Sequence, residues 1–195
     1  MPMNFLHRRI CSSADWAASV AQRMPGDLAG VDLGDDVLEI GPGFGATTRV
    51  LAERVPRLTA VEIDEASVRL LRATFADRVE VVHGDGARLP FPDGRFSAVV
   101  CFTMLHHVPS VARQDALFAE ACRVLRPGGV FRGVDSQLTV RFRLLHLGDT
   151  MVVLDSRTLA GRLRRAGFDR VEVAHEPRVR VRFLGHRPLG PAGPH

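Results

Sequence analysis

The sequence predicts an α/β fold built on a seven-stranded, mostly parallel sheet. Three observations lead to this prediction. Short apolar runs alternate with segments of helical periodicity as far as residue 135, and strands separated by helices pair in parallel through right-handed crossovers. The first apolar run leads directly into a glycine-rich turn and a helical segment. Near the C-terminus two strand-like segments follow one another, which predicts an antiparallel hairpin element at one edge of the sheet.

The predicted elements follow in a regular order. Ser12 or Ser13 can cap an amphipathic helix over 12–24, which Pro25-Gly26 ends. The central part of the chain then alternates five strands with three helices. The strands are expected at 36–40, 58–62, 79–83, 96–101 and 129–135, and the helices at 46–55, 65–76 and 110–125.

The C-terminal part is less regular. Residues 136–155 mix arginines with apolar side chains and predict no single element, but Ser156 can cap a helix that runs to Arg165. Two strands follow at about 169–175 and 178–184. We expect one domain over 1–187, with an N-terminal helical cap over about 1–26, and a mobile Pro/Gly-rich tail over 188–195.

Composition limits the class of protein. The chain has 195 residues, of which 46% are apolar, and this suits one domain with a sizeable core. No apolar run approaches the ~18 residues of a membrane span, and the N-terminus lacks a signal peptide's apolar stretch. Three scattered cysteines, Cys11, Cys101 and Cys122, indicate neither a disulfide framework nor a metal site. We therefore expect a cytoplasmic protein with no bound metal.

The segment from Val37 to Thr48 carries the strongest functional signal. Glycines at 41, 43 and 45 follow the first strand, and glycine is needed where the backbone turns sharply against a ligand. Glu62 ends the second apolar run, where a carboxylate can reach the ribose hydroxyls of an adenosine held over the loop. The pattern predicts a nucleoside cofactor. The same glycines also satisfy the dinucleotide fingerprint, so a nicotinamide cofactor remains an alternative.

Two further acidic residues belong to this predicted site. Asp85 follows the third strand, where its carboxylate could meet an adenine amino group. Glu39 stands among apolar residues of the first strand, and a buried carboxylate needs hydrogen-bonding partners.

These segments together resemble the class I S-adenosylmethionine (SAM)-dependent methyltransferases. The similarity extends roughly from Asp35 to Arg187, and its later motifs include Met104-Leu-His-His-Val108 and Arg123-Val-Leu-Arg-Pro-Gly-Gly129. The resemblance implies a Rossmann-like doubly wound sheet and SAM as the cofactor. One departure is Ser97, where many relatives have aspartate.

The resemblance also implies roles for individual residues around SAM. The loop would lie under the methionine part, Glu62 would bind the ribose, and Ile63 would pack on the adenine. Glu39 would order the loop or the cofactor's ammonium group from below. The remaining implied cofactor contacts are those of Gly41, Pro42, Gly43 and Gly45 in the loop, Asp85, Gly86 and Ala87 at the adenine edge, and Phe102 and Thr103 at the methionine end.

Candidate residues for the methyl acceptor are more dispersed. His106 and His107 follow the fourth strand, and histidine can take a proton from a phenol or hydroxyl near neutral pH. Alternatively, one of them packs the short helix there. The segments 5–16 and 136–155 are expected to flank the pocket, and their mixture of apolar and arginine side chains suits an apolar or aromatic acceptor with an anionic group. The candidate acceptor contacts are His7, Cys11, Trp16, Asp135 and Arg141, although Asp135 could instead bond arginines such as Arg132.

Four functions remain possible at this point. A small-molecule methyltransferase, similar to the quinone-biosynthesis branch, is favoured. An RNA adenine N6-methyltransferase is the alternative, because Ala60-Val-Glu-Ile-Asp64 resembles the rRNA adenine dimethylases and the C-terminal part is basic. Those enzymes have an Asn-Leu-Pro-Tyr-like segment where this chain has Cys101-Phe-Thr-Met-Leu105, so a nucleic-acid partner is disfavoured. A nicotinamide oxidoreductase is disfavoured by Asp85, and a catalytically silent SAM-binding protein stays open.

Overall fold

A computed structural model describes residues 4–177 and 179–190, together with every side chain in these ranges except that of Arg141. Its centre is one seven-stranded sheet with the strand order β3-β2-β1-β4-β5-β7-β6. β7 is antiparallel to both of its neighbours, and the other pairs are parallel. The strands are β1 Asp36–Ile40, β2 Arg57–Glu62, β3 Glu80–His83, β4 Phe96–Phe102, β5 Leu125–Ser136, β6 Asp169–Glu176 and β7 Arg180–His186. The predicted fold class is confirmed.

Seven α-helices surround the sheet in the described part of the chain. Most begin at a residue whose side chain accepts a hydrogen bond from the first turn; for example, Asp64 accepts from the Ser67 N–H at 2.8 Å, which satisfies an otherwise unpaired donor. None of these helices is long and apolar enough to cross a membrane. The helices are α1 Phe5–Cys11, α2 Ala14–Asp27, α3 Ala46–Ala52, α4 Glu65–Phe75, α5 Val111–Val124, α6 Val140–Leu145 and α7 Ser156–Arg165, with 3₁₀ turns at Ala76–Arg78 and Leu105–His107.

The core has two parts, one on each face of the sheet. Neighbouring residues of a strand point to opposite faces, so Leu38 packs with α5 and α7 while Val37 packs with α2, α3 and α4. All seven residues of β4 are buried, because β4 lies at the centre of the sheet and is covered on both faces. The carboxyl ends of β1, β2 and β4 therefore have rigid positions at one edge.

The N-terminal helix prediction was wrong at its C-terminal boundary. We expected Pro25-Gly26 to end it, but α2 continues to Asp27. A proline in the last turn removes only one backbone hydrogen bond, and tertiary contacts hold this end. The Asp27 carboxylate binds Arg180 at 2.7 Å, and the Asp27 carbonyl accepts a bond from Arg132 at 2.8 Å. The structure also adds a preceding helix, α1.

Two other segments differ from expectation. Pro127 to Gly129 form an irregularity within β5 and not a turn before it, because Leu125 already pairs with Phe96 before the register shifts to Val130 and Ala98. Residues 136–155 contain α6. Of the tail predicted to be mobile, 188–190 have no regular structure and 191–195 lie outside the described residues.

Candidate active site

The loop after β1 is built from glycines in left-handed conformations. Gly41, Gly43 and Gly45 have φ values of 69°, 57° and 82°, a region that side chains with a Cβ rarely adopt. A Cβ added at Gly43 would meet no atom within 4 Å, because it would project into an open cavity. The loop therefore presents bare backbone to that cavity.

Glu39 supports this loop from inside the sheet. Its carboxylate accepts hydrogen bonds from the Thr47 and Thr48 hydroxyls of α3, the latter at 2.7 Å. Burial raises the pKa of Glu39 to about 7, although the two hydrogen bonds act in the opposite direction. Glu39 does not line the cavity in the described structure, so its visible role is to join β1 to the helix after the loop.

Glu62 connects the loop to the second strand. Its Oε2 accepts a bond from the Gly43 N–H at 3.0 Å, and its Oε1 accepts from the Asp64 N–H at 2.9 Å. Each carboxylate oxygen has a second lone pair, so both can also accept bonds from ligand hydroxyls. The next residue, Ile63, is 49% exposed and borders the cavity, where its side chain offers an apolar surface to a flat ring.

The turn after β3 forms the next part of the wall. Asp85 accepts a bond from the Ala87 N–H at 2.9 Å, which shapes the turn through Gly86. The other oxygen of Asp85 pairs with Arg113 at the start of α5. Sequence reasoning identified Asp85 but missed Arg113, because the two residues are 28 positions apart and no spacing rule joins them.

The carboxyl end of β4 completes this side of the cavity. Phe102 is buried, and Thr103 has a positive φ of 51°, which is unusual for a residue with a branched Cβ. The Thr103 N–H bonds to the Val134 carbonyl at 2.7 Å and holds this conformation. Backbone strain of this kind is concentrated at functional sites.

One cavity of about 520 Å³ joins all of these segments, a size typical of small-molecule sites. Of the twelve residues predicted to hold a cofactor, ten line it, and Glu39 and Gly45 do not; a Cβ added at Gly45 would meet Leu71 and Phe75 behind the wall. The open cradle at Gly43 and the acceptor atoms of Glu62 fit an adenosine-containing cofactor such as SAM. The lining residues from this group are Gly41, Pro42, Gly43, Glu62, Ile63, Asp85, Gly86, Ala87, Phe102 and Thr103, with Gly45 forming the end of the loop beneath them.

His106 occupies the other end of this cavity. It lies in the 3₁₀ turn after β4 and is 2% exposed. Its Nδ1 lies 2.5 Å from an Asp135 oxygen, and its backbone N–H donates to the second oxygen of Asp135 at 3.1 Å. The carboxylate fixes the ring, so Nε2 is the nitrogen left for a substrate proton. Asp135 lies behind His106 and does not line this cavity. The suggested contact with Arg132 is not formed, because that arginine binds the Asp27 carbonyl instead.

His107 lies beside His106, and two more histidines approach from distant segments. His7 comes from α1 and His146 from the turn after α6, and all four rings border the cavity. The ring centroids of His106 and His107 are 4.1 Å apart, and those of His7 and His146 are 4.3 Å apart. Burial is the main cause that lowers the pKa of His107 to about 2, and the neighbouring histidines lower it further. Sequence reasoning missed His146, because nothing in its local pattern relates it to residues 40 or 140 positions away.

Only some of the other residues predicted to contact the acceptor line the cavity. Cys11 and Trp16, both in the segment 5–16, line the cavity with His7. Burial and the nearby Asp149 raise the pKa of Cys11 to about 11, so this thiol is neutral. The Arg141 side chain lies outside the described residues. Arg143 is exposed and away from the cavity, whereas Arg8 and Arg113 line it.

Comparison with known proteins agrees with this geometry. Residues 38–132 match the family described as a methyltransferase domain. A probable SAM-dependent methyltransferase of Mycolicibacterium smegmatis is 41% identical over 98 residues, which are 50% of this chain and 37% of that protein. A fatty-acid O-methyltransferase of the same organism is 36% identical over 107 residues, or 53% of this chain and 38% of that protein.

Proteins named as ribosomal RNA methyltransferases also match part of the chain. The ribosomal RNA small subunit methyltransferase A of Geobacter metallireducens is 51% identical over 61 residues, which are 30% of this chain and 22% of that protein. Among solved structures, a SAM-dependent methyltransferase from Methanosarcina mazei shares the fold with a TM-score of 0.66 at 18% identity, covering 82% of this chain and 95% of that one.

Residues 38–132 of the chain belong to the methyltransferase-domain family, and the relatives agree with a class I SAM-dependent methyltransferase. The solved structure shares the fold. It spans less than two fifths of the length of the curated relatives named above. The matched segments contain the glycine loop and the ends of β2 and β4, whereas α1 and α6 lie outside the family match.

Proposed function

We propose that this chain transfers the methyl group of SAM to a small, apolar or aromatic acceptor, with His106 as the general base. The observation that carries the proposal is one cavity that joins the glycine loop to the buried His106–Asp135 pair. When bound, SAM supplies a methyl group on a positively charged sulfur, which leaves as a neutral thioether. The protein has to hold an acceptor oxygen in line with that methyl group.

The cofactor half of the cavity explains how the chain would orient SAM. Backbone atoms of Gly41 and Gly43 face the cavity without side chains, and Glu62 would accept bonds from both ribose hydroxyls. Ile63 and Ala87 would enclose the adenine, with the Asp85 carboxylate at its edge. The methionine end of SAM would then lie near Phe102 and Thr103, which line the cavity next to the turn that contains His106.

The acceptor half explains how a hydroxyl would be activated. Asp135 holds the Nδ1 proton of His106, which leaves the Nε2 lone pair to take the proton from the acceptor oxygen. That oxygen would then be ready to accept the methyl group, while the proton stays on His106. Phe142, Leu145 and Trp16 supply an apolar surround that suits an aromatic or aliphatic acceptor.

The test is a methyl-transfer screen with radiolabelled SAM against phenols, fatty acids and RNA. We expect transfer to a phenol, whose hydroxyl proton His106 can take, and calorimetry should show binding of SAM but not of NAD. His106→Gln should lower kcat by about 100-fold without changing the Kd for SAM, whereas His175→Gln, at an exposed histidine of β6, should change neither. Transfer to RNA alone, or full activity in His106→Gln, would contradict the proposal.

A further inference from the structure

Three histidines converge at the acceptor end of the cavity from separate parts of the chain. His7 lies in α1, His107 in the 3₁₀ turn after β4, and His146 just after α6. One ring nitrogen from each lies within 4.8 Å of the others. Tetrahedral zinc with Zn–N bonds of 2.0–2.1 Å needs nitrogens about 3.3 Å apart, so small rotations of the rings would bring them to bonding distance.

Each of these rings has a partner that orients it. His7 Nδ1 lies 2.8 Å from the buried carboxylate of Asp149, and His146 Nδ1 lies 2.7 Å from the Phe142 carbonyl. His107 hydrogen-bonds the backbone of Thr150. Histidines that bind metals almost always have such a carboxylate or carbonyl on the other ring nitrogen, because it fixes the tautomer and turns the free nitrogen toward the ion.

His146 gives the clearest indication that these three rings could bind a cation. A carbonyl oxygen can only accept, so Nδ1 carries the proton and Nε2 of the neutral ring carries a lone pair. Within the described part of the chain, that buried Nε2 has no hydrogen-bond partner. Leaving a buried acceptor unpaired is costly, and a bound cation would satisfy it.

We propose that His7, His107 and His146 bind one divalent transition-metal ion of the zinc class, with an open coordination position facing the cavity. Three imidazole nitrogens favour zinc, copper or nickel over magnesium or calcium, which prefer oxygen ligands.

The open position suggests what the ion would do. A metal-bound hydroxyl or carboxylate of the acceptor would lie beside His106, whose ring is 4.1 Å from that of His107, and coordination lowers the pKa of a bound hydroxyl. This role rests on the proposed function, whereas metal binding itself does not.

The test uses untagged full-length protein that has been treated with a chelator and dialysed. Titration with Co²⁺ should give visible absorption that saturates at one ion per chain, and Zn²⁺ should displace it. His7→Gln and His146→Gln should each abolish the signal, and Asp149→Asn should weaken affinity by about 10–100-fold. His175→Gln, an exposed histidine of β6, should bind as the wild type does.

Calorimetry with SAM on the same variants separates loss of fold from loss of metal, because Gln at positions 7 and 146 should leave SAM binding intact. No Co²⁺ or Zn²⁺ binding by the wild type, or binding that survives in both glutamine variants, would overturn the metal site. Metal binding without methyl transfer to any acceptor would instead refute the proposed function and leave the metal site standing.

Discussion

The two ends of the cavity are built in different ways. The cofactor end comes from consecutive strand ends between Gly41 and Ala87, where each residue is fixed by a neighbour in the sheet. The acceptor end is assembled from α1, the turn after β4 and the segment around α6, so that His7 and Asp149 meet across 142 positions of sequence. Changes at the first end should therefore affect SAM alone, and changes at the second should affect the acceptor alone.

The largest effect is expected from Gly43→Val at the cofactor end. The branched side chain would enter the cavity and would also have to adopt a positive φ. SAM binding measured by calorimetry should be lost while circular dichroism remains native. Gly30→Val is the matched control, since Gly30 has a φ of 74° and open space around it but lies on the surface. Normal SAM binding by Gly43→Val would show that this loop is not the cradle.

Asp135→Asn should impair the acceptor end of the cavity and leave SAM binding at the cofactor end intact. An amide can turn its NH₂ toward His106 Nδ1 and force the ring proton onto Nε2, where it blocks proton removal from the acceptor. We expect kcat to fall by about 100-fold, with the Kd for SAM and the KM for the acceptor nearly unchanged. A loss of SAM affinity as large as the loss of kcat would contradict this separation.

Glu62→Ala should have a smaller effect, confined to the cofactor. Each charge-assisted bond to a ribose hydroxyl contributes roughly 1.5–3 kcal/mol, so the Kd for SAM should rise at least about tenfold. Glu65→Ala, a nearby carboxylate that is 72% exposed and paired with Arg69, serves as the control. If Glu62→Ala bound SAM as well as Glu65→Ala does, the ribose assignment would be wrong.

The predictability of the two ends differs for a physical reason. Glu62, Asp85 and the loop glycines were identified from spacing alone. The carboxyl ends of parallel strands lie at one edge of the sheet, and these residues lie at or directly after such strand ends. Arg113 and His146 were missed, since each acquires its role only by packing against residues far away in sequence. The same limit explains the error at Pro25-Gly26, where contacts with Arg132 and Arg180 override a local helix-stop signal.

The effect expected from Glu39→Gln is of a different kind, because it concerns stability and not the binding of SAM or the acceptor. Burial raises the pKa of Glu39 from 4.5 to about 7, so between these values the folded protein holds a proton that the unfolded chain releases. The stability from this group is full below pH 4.5 and is lost as pH rises toward 7, by roughly 3 kcal/mol. In denaturant titrations, the free energy of unfolding of Glu39→Gln relative to that of the wild type should therefore increase as pH rises through this window. A difference that stays constant with pH would contradict the buried, protonated state.

The most direct measurement is a crystal structure of the protein with S-adenosylhomocysteine, which retains the adenosine and the sulfur of SAM. We predict that both ribose hydroxyls lie within hydrogen-bonding distance of the Glu62 carboxylate, and that the sulfur lies near Phe102 and Thr103 and faces His106. A nucleoside bound away from Glu62, or a sulfur directed away from His106, would contradict the division of this cavity into a cofactor end and an acceptor end.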